Sequence, residues 1–543
     1  MKASDLFVRS LEAAGIQYVF GLPGEENLAF LEALRTSTIQ FVTTRDEQTA
    51  VFMAATVGRL TGRTGVALST LGPGATNLVT GVAYAQLGGM PLLIITGQKP
   101  IKKSKQGKFQ IIDVVGMMKP ITKMAETIVS ADRIPAYVAQ AIRIAEEERP
   151  GAVHLEFPED VAQEHSNEVP VHWPKIRRPV PDDKSIDIVV AALEAARSPL
   201  IVIAAGANRK LIRKQIRHFI EKTKIPFITT QMGKGVEDEG SEQYIGTTAL
   251  SSDDLVHEAA SAADCIMLIG HDIMEKPPII AHAHQEIIHV NFYPADVDNV
   301  YKPTHEVIGD ISHGLWAMSE RITVQPSWDF TAFERTKARL LEDIQEKASD
   351  ESFPMKPQRI VHELREIMPR DGILSLDNGM YKLWIARNYP AYEQNTVLLD
   401  NTFATMGAGL GVGMGAKLVH PEKKVVVIAG DGGFLMNVAD LETAKRLGLD
   451  FVVVILEDEG YGMIKWKQDG MGLKDFGLSF TNPDFVKLAE SFGATGYKIR
   501  TAKEFRPTLE AALENSGIHI IVVPIDYSEN AKVFGALPGE TNE

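Results

Sequence analysis

The chain has 543 residues, 45% of them hydrophobic and 23% charged, an ordinary globular balance and too much chain for one hydrophobic core. A formal net charge of −15 without a long basic run speaks against nucleic acid as a partner. No apolar stretch is long enough to span a membrane, the amphipathic opening MKASDLFVRSLEAAGI lacks a signal-peptide core, and the single cysteine excludes an internal disulfide framework, so a cytoplasmic enzyme or binding protein is expected.

Residues 1–165 alternate helix and strand: helix Ala3–Ala14, strand Tyr18–Gly21, strand Phe41–Thr44, helix Gln48–Leu60, strand Thr64–Ser69, then strands at Pro91–Thr96 and Val153–Glu156. That rhythm predicts a doubly wound parallel sheet. Three of its turns hold residues suited to chemistry. Gly21-Leu22-Pro23-Gly24-Glu25-Glu26-Asn27 joins strand to helix, and a plain βα loop explains it equally well. In Arg45-Asp46-Glu47-Gln48 a lone acid at a helix start ordinarily only complements the helix dipole. The glycines of Gly72-Pro73-Gly74-Ala75-Thr76-Asn77 permit close backbone approach to a ligand.

From Gln163 to Asp183 the chain turns proline-rich and polar, as a linker does. Residues 186–325 read as a second α/β domain, with strand Leu200–Ala204 running into Ala205-Gly206-Ala207-Asn208-Arg209-Lys210 and further strands near Phe227, Cys265 and Ile287. Its loose glycine turn is weak support for a nucleotide site, because no G-x-G-x-x-G is present. Cys265, in the apolar run CIMLIG, reads as a buried structural thiol. Residues 326–355 form a charged helical connector with a solvated face, and the polar tail after Tyr527 reads as a mobile end.

Residues 357–527 predict a third domain, opening with helix Pro357–Ile367, strand Ile373–Leu376 and the turn Asp377-Asn378-Gly379-Met380-Tyr381. Its centre is the stretch from Lys424 to Met463. Val425–Ala429 suits a strand buried on both faces, Gly430-Asp431-Gly432-Gly433 breaks it, and Leu435, Val438, Leu441, Ala444 and Leu447 follow at helical spacing before strand Phe451–Leu456. Asp431 and Asp458 then stand at the carboxyl ends of two strands, the edge where open α/β sheets bind ligands. Open N–H groups after Asp431 suit phosphate, and two carboxylates beside a phosphate cradle suit Mg²⁺. GDG alone would pass for a tight turn; a second aspartate after one helix and one strand argues for a metal and a diphosphate.

The pattern Asp431, Asp458, Gly460 resembles the thiamine-diphosphate motif, with Asp458 where the family more often has asparagine. STLGPGATNLVTGVAYAQLGGMPLLIITGQ, GLPGEEN, TRDEQTA and GKFQIIDVVGMMKPITK extend the resemblance to the acetolactate synthases of the thiamine-diphosphate decarboxylase and carboligase superfamily, over nearly the whole chain. It implies three doubly wound α/β domains: pyrimidine-binding, central, and diphosphate-binding. It implies Mg²⁺ on Asp431, Asp458 and the Gly460 carbonyl. Glu47 would be the carboxylate that activates the cofactor, and Gln110, from the pair Phe109-Gln110, would lie over the reacting carbons with the Gly21–Glu25 turn. The cofactor contacts it implies are Pro23, Gly24, Glu47, Pro73, Asn77, Gly379, Met380, Tyr381, Thr405, Met406, Gly430, Asp431, Gly432, Gly433, Asp458, Gly460, Tyr461, Gly462 and Met463. Met406 would wedge the cofactor into its bent shape. Tyr381 stands where the family commonly has a histidine.

The flavin-binding arginine run of the biosynthetic enzymes is replaced by Gly270-His271-Asp272-Ile273-Met274-Glu275-Lys276-Pro277-Pro278, which looks like the catabolic, FAD-independent type. The implied reaction decarboxylates pyruvate and joins the remaining two-carbon unit to a second pyruvate, giving 2-acetolactate and CO₂ in a homodimer or homotetramer with active sites at the subunit interface. Another thiamine-dependent 2-ketoacid decarboxylase or carboligase, or a non-catalytic paralogue, are the alternatives. Lys467 stands where biosynthetic enzymes carry a tryptophan that favours 2-ketobutyrate, and the neighbouring Trp466 points roughly 100° away on a helix. Little preference for 2-ketobutyrate is therefore expected.

Overall fold

The computed structural model describes residues 1–102, 107–171, 178–209, 212–248, 254–275, 284–297 and 301–534. The chain divides into two compact units. One comprises 1–177 with the stretches 402–422 and 436–449; the other comprises 178–401, 423–435 and 450–543.

The first unit is built on a six-stranded parallel sheet of β1 (Tyr18–Gly21), β2 (Gln40–Thr43), β3 (Gly65–Ser69), β4 (Leu92–Gln98), β5 (Met124–Thr127) and β6 (Ala152–Pro158) in the order β2-β1-β3-β4-β6-β5. β3, β4 and β6 are buried along their whole length, as strands covered by helices on both faces must be. The helix Ala408–Val419, distant in sequence, packs on the helix Glu47–Thr61. Gly411 and Gly415 make this possible: a Cβ on either would stand 2.9 Å from Phe52 Cβ or 3.0 Å from the Met53 carbonyl.

The second unit carries two more parallel sheets. One holds β7 (Pro199–Ile203), β8 (Phe227–Thr229), β9 (Tyr244–Thr247), β10 (Cys265–Ile269), β11 (Glu286–Asn291) and β12 (His305–Ile308), in the order β12-β11-β10-β7-β8-β9. This is the doubly wound order of dinucleotide-binding folds, although the glycine fingerprint is missing. The other holds β13 (Ile373–Leu376), β14 (Val397–Leu398), β15 (Val425–Gly430), β16 (Phe451–Glu457), β17 (Thr495–Lys498) and β18 (Ile518–Pro524), in the order β14-β13-β15-β16-β18-β17. Counted within each sheet, that is the same strand order as in the first unit, which supports an internal duplication.

Two expectations are corrected. The apolar periodicity from Leu435 to Leu447 predicts one helix, but the chain forms a helix at Asp431–Met436, a 3₁₀ turn at Val438–Asp440 and a helix at Leu441–Arg446. Asn437 breaks it with φ −127° and ψ 20°. Asp440, instead of extending a helix face, accepts hydrogen bonds from the Arg45 N–H at 2.8 Å and the Thr443 hydroxyl at 2.7 Å. The segment after Tyr527 is packed as far as Phe534: Asn530 accepts the Trp384 indole N–H at 2.8 Å, and Phe534 sits edge-on to Trp384 and Trp466. Cys265 is buried as expected, and burial pushes its thiol up to about 12. Of the Ala205–Lys210 and Gly270–Pro278 segments, Lys210, Lys276, Pro277 and Pro278 lie outside the described residues. Among the described residues no helix is long and apolar enough to cross a membrane.

Candidate active site

The third sheet changes direction of winding between β13 and β15, and a ligand crevice opens at such a point. Leu376 of β13 pairs with Ile428 of β15, and Gly430 of β15 with Leu456 of β16, so β15 and β16 end within a residue of each other, two residues past β13 on β15. After β13, Gly379 caps the helix Met380–Asn388. A Cβ on Gly379 would stand 2.5 Å from the Tyr381 ring, so only glycine lets that ring fold back. Met380 and Tyr381 are both buried. The Tyr381 ring lies against Gly430, and its hydroxyl finds no acceptor among the described residues. Burial, with Asp377 beside it, holds the phenol well above its usual range, so the hydroxyl keeps a proton to donate. Lys382, one position on, is buried too. It donates to Asn378 Oδ1 and to the Asp400 carbonyl, each at 2.8 Å, and burial lowers it to about 8 against the opposing pull of Asp400 and Asp377.

Asp431 leaves β15 with 1% exposure. Its Oδ1 accepts the Gly432 N–H at 2.8 Å, while Oδ2 accepts the Glu459 N–H at 2.8 Å, the Asp458 N–H at 3.2 Å and the Asn482 side-chain amide at 2.8 Å. Gly432 and Gly433 lie in the first turn of the short helix that follows. Asp458 is exposed as a residue, yet its carboxyl is crowded: a Cβ on Gly462 would stand 2.7 Å from Oδ2. Burial, then the charge of Asp431, push it up to about 7, with Lys465 pulling the other way. Gly460 forms an isolated antiparallel bridge with Ser479, and Tyr461 packs edge-on to Phe480 at 5.1 Å between ring centres. Gly462 opens the helix Gly462–Gly470, with Met463 partly buried against the core. In that helix Trp466 is buried and Lys467 exposed, so the two do point apart.

These residues suit a magnesium ion and a diphosphate. Two carboxylates stand together, offset only in part by Lys465, and a buried phenol beside them has no acceptor among the described residues. Both shortages would be met by Mg²⁺ and phosphate oxygens.

In the first unit the corresponding switch point lies between β1 and β3. Gly21 ends β1 so close to β3 that a Cβ would fall 1.9 Å from the Leu68 carbonyl oxygen. Pro23 and Gly24 form the turn beyond it; Gly24 donates its N–H to Asn27 Oδ1 at 2.9 Å and abuts Thr70. Behind this turn Glu26, 4% exposed, pairs with the equally hidden Lys99 at 2.5 Å and accepts the Thr70 hydroxyl. Burial alone would raise Glu26, but Lys99 and Thr70 outweigh it and hold the carboxyl below its ordinary value.

Asp46 caps the helix Glu47–Thr61 by accepting the Gln48 N–H at 2.6 Å, which leaves Glu47 as the first helical residue. Glu47 is buried, and its Oε2 accepts the Asn77 amide at 3.0 Å. Its Oε1 lies over Gly74, where a Cβ would be 3.1 Å away. Pro73 opens the short helix Pro73–Asn77 that brings Asn77 round. Gln110 adopts φ 59° and lies against Gly72, whose Cβ would stand 2.8 Å from the Gln110 carbonyl oxygen. The structure thus gathers Glu47, Asn77, the glycine turn and Gln110 in one place. Thr405 and Met406 belong to the same unit, where the half-buried Met406 precedes Gly407 at φ 85°.

The sequence reading passed over Asn482, Lys382 and the Glu26–Lys99 pair. For Glu26 and Lys99 the only signal was two opposite charges just beyond the ends of β1 and β4, two strands that β3 separates; for Asn482 there was none, since its partner lies 51 residues away.

Comparison with known proteins matches three family models: the thiamine pyrophosphate enzyme N-terminal TPP binding domain over residues 1–117, the central domain over 186–318, and the C-terminal TPP binding domain over 377–523. The chain is 32% identical to the catabolic acetolactate synthase of Raoultella terrigena, over 98% of this chain and 97% of that protein. It is likewise 32% identical to an acetolactate synthase of Bacillus subtilis, over 100% of this chain and 96% of that one, and 27% identical to the large subunit of acetolactate synthase isozyme 2 of Escherichia coli, over 98% and 96%.

Proposed function

The chain belongs to the thiamine pyrophosphate enzymes, among the acetolactate synthases, and on that premise we propose that it converts two pyruvates to 2-acetolactate and CO₂ with thiamine diphosphate and Mg²⁺. The observation that carries the reading is the pairing of Asp431 with Asp458 beside a buried Tyr381 hydroxyl that has no acceptor among the described residues. When bound, thiamine diphosphate supplies the carbon nucleophile and the electron sink for decarboxylation.

The chain's residues do the rest. Asp431, Asp458 and the Gly460 carbonyl would hold Mg²⁺, and Tyr381 would donate to a diphosphate oxygen. Gly430, Gly432 and Gly433 let the diphosphate come close to backbone. Gly379, Met380, Tyr461, Gly462 and Met463 complete that wall, and Thr405 with Met406 would support the cofactor's bend. On the other half, Glu47 would exchange a proton with the cofactor's pyrimidine, oriented by the Asn77 amide that already holds its Oε2. Pro23, Gly24 and Pro73 would shape the pyrimidine pocket, and Gln110 would face the ketoacid.

We further propose that the Glu47 half of one subunit completes the Asp431 half of another, in a dimer or tetramer. Mixing inactive Glu47→Gln and Asp431→Ala proteins under subunit exchange should then restore part of the activity.

The direct test is incubation of the purified protein with pyruvate, with and without thiamine diphosphate and Mg²⁺, followed by acidification and acetoin detection. Acetoin only in the complete mixture is expected. Acetaldehyde without acetolactate would instead make the protein a simple decarboxylase.

A further inference from the structure

We propose that Asn482 is a positioning residue of the metal half-site: it completes the coordination of one Asp431 oxygen and thereby turns the other, Oδ1, toward the cation. The inference rests on the reading of Asp431 as a magnesium ligand.

A carboxylate oxygen offers two lone pairs. Asp431 Oδ2 already receives three N–H donors, from Asp458, Glu459 and Asn482, whereas among the described residues Oδ1 receives only that of Gly432. Oδ2 is therefore spent, and Oδ1 keeps the free lone pair. Two of the three donors on Oδ2 are backbone groups of the turn carrying Asp458, and they come with the fold. Asn482 is the one side chain in the set, and so the one that substitution can remove.

Its reach is built rather than incidental. Glu459 takes φ 53°, Phe480 donates its N–H to the Glu459 carbonyl at 3.1 Å, Tyr461 donates to the Leu478 carbonyl at 3.1 Å, and the Tyr461 and Phe480 rings lock edge to face. This patch of antiparallel pairing lays residues 478–480 along residues 459–461, and Asn482 follows two positions on. Asp484 then caps the next helix by accepting the Val486 N–H at 3.1 Å, which anchors the far side of the loop. The amide of Asn482 has only one possible orientation, because a carboxylate can only accept. Its own Oδ1 is consequently a buried acceptor without a donor among the described residues.

The test is calorimetric titration of Mg²⁺ into the full-length protein at fixed thiamine diphosphate, beside steady-state kinetics. In the wild type a saturable Mg²⁺ site is expected. Asn482→Ala should weaken the Mg²⁺ Kd by about 10–100-fold, the usual effect of removing a residue that orients a metal ligand. Its kcat should recover at saturating Mg²⁺, with pyruvate KM unchanged. Asn482→Asp, which sets a negative charge against Oδ2, should be weaker still. If alanine disturbs folding of the apo-protein, judged by its melting, Asn482→Ser is read in the same way. An unchanged Mg²⁺ Kd in a variant that melts like wild type, or a kcat that Mg²⁺ does not restore, overturns the proposal. Failure of the wild type itself to bind Mg²⁺ and thiamine diphosphate would overturn the parent reading instead.

Discussion

Asp431, directly after β15, and Glu275, in the loop that follows β10, both lie beyond the carboxyl end of a parallel strand, both are buried, and both accept backbone N–H groups. Glu275 accepts the Met232 N–H at 2.7 Å, the Thr230 hydroxyl at 2.8 Å and the Ala205 N–H at 3.3 Å, tying the loops after β7 and β8 to the one after β10. Burial raises it to about 7, with Asp272 adding to the effect, so a proton can relieve its charge. Asp431 has a second carboxylate in front of it. There the strain falls on Asp458, and a divalent cation would relieve both acids at once. Donors, burial and a neighbouring acid are common to both, since Asp272 stands near Glu275 as Asp458 does near Asp431; on the proposed reading, what separates them is the buried Tyr381 hydroxyl beside the Asp431 pair, which has no acceptor among the described residues.

The sharpest way to break this comparison is Asp431→Ala. It should abolish saturable Mg²⁺-dependent binding of thiamine diphosphate, whereas Glu275→Gln should leave that binding intact. Equal loss in both variants, measured by calorimetry, would erase the distinction. Next in size is Glu47→Gln, which keeps the bulk and the Asn77 contact but removes the exchangeable proton. A drop of about 10²–10⁴-fold in rate is expected, with slowed cofactor C2 proton exchange by NMR; a normal exchange rate would relieve Glu47 of the role.

The pH dependence of Glu275 comes third. Its folded value of about 7 lies above the ordinary 4.5, so the folded state binds the proton more tightly. The stabilisation this gives is complete below 4.5 and fades as pH rises through 7, for a total of about 3 kcal/mol from this group. Denaturant unfolding between pH 5 and pH 8 should show that decline in the wild type and a flatter profile in Glu275→Gln, with parallel profiles refuting it. The smallest effect concerns the acceptor. With Lys467 exposed and Trp466 turned into the core, no apolar shelf for an extra methyl is provided from this helix. Such a shelf is worth only about 1–3 kcal/mol. Competition at equal concentrations should give little excess of acetohydroxybutyrate over acetolactate, and FAD should alter neither activity nor absorbance. A strong excess, or a bound flavin spectrum, would point to the biosynthetic type.

Much of this was legible in the chain. The runs Val425–Ala429, Phe451–Leu456 and Ile373–Leu376 are continuous and apolar because parallel strands are covered on both faces, and they ended within a residue or two of expectation. Asp431, Asp458 and the GPGATN turn stood out because strand-end turns carry their chemistry in local sequence, whereas Glu47, alone an ordinary acid at a helix start, stood out only through the family resemblance. Short edge strands such as Val397–Leu398 did not, being too brief to leave a period. Nor did the break at Asn437, since Leu435 to Leu447 keeps helical spacing while a turn intervenes.

By itself, then, the sequence determined the alternation of strand and helix, the three parallel sheets and the identity of the acids at their edges, because those follow from local apolar period and glycine placement. Tertiary structure decided the strand orders, the bonds that tie Glu275 to the loops after β7 and β8, and the hold of Asn77 on Glu47 and of Asn482 on Asp431. Each of these depends on side chains far apart in the chain meeting across a few ångströms, and no local pattern encodes such a meeting.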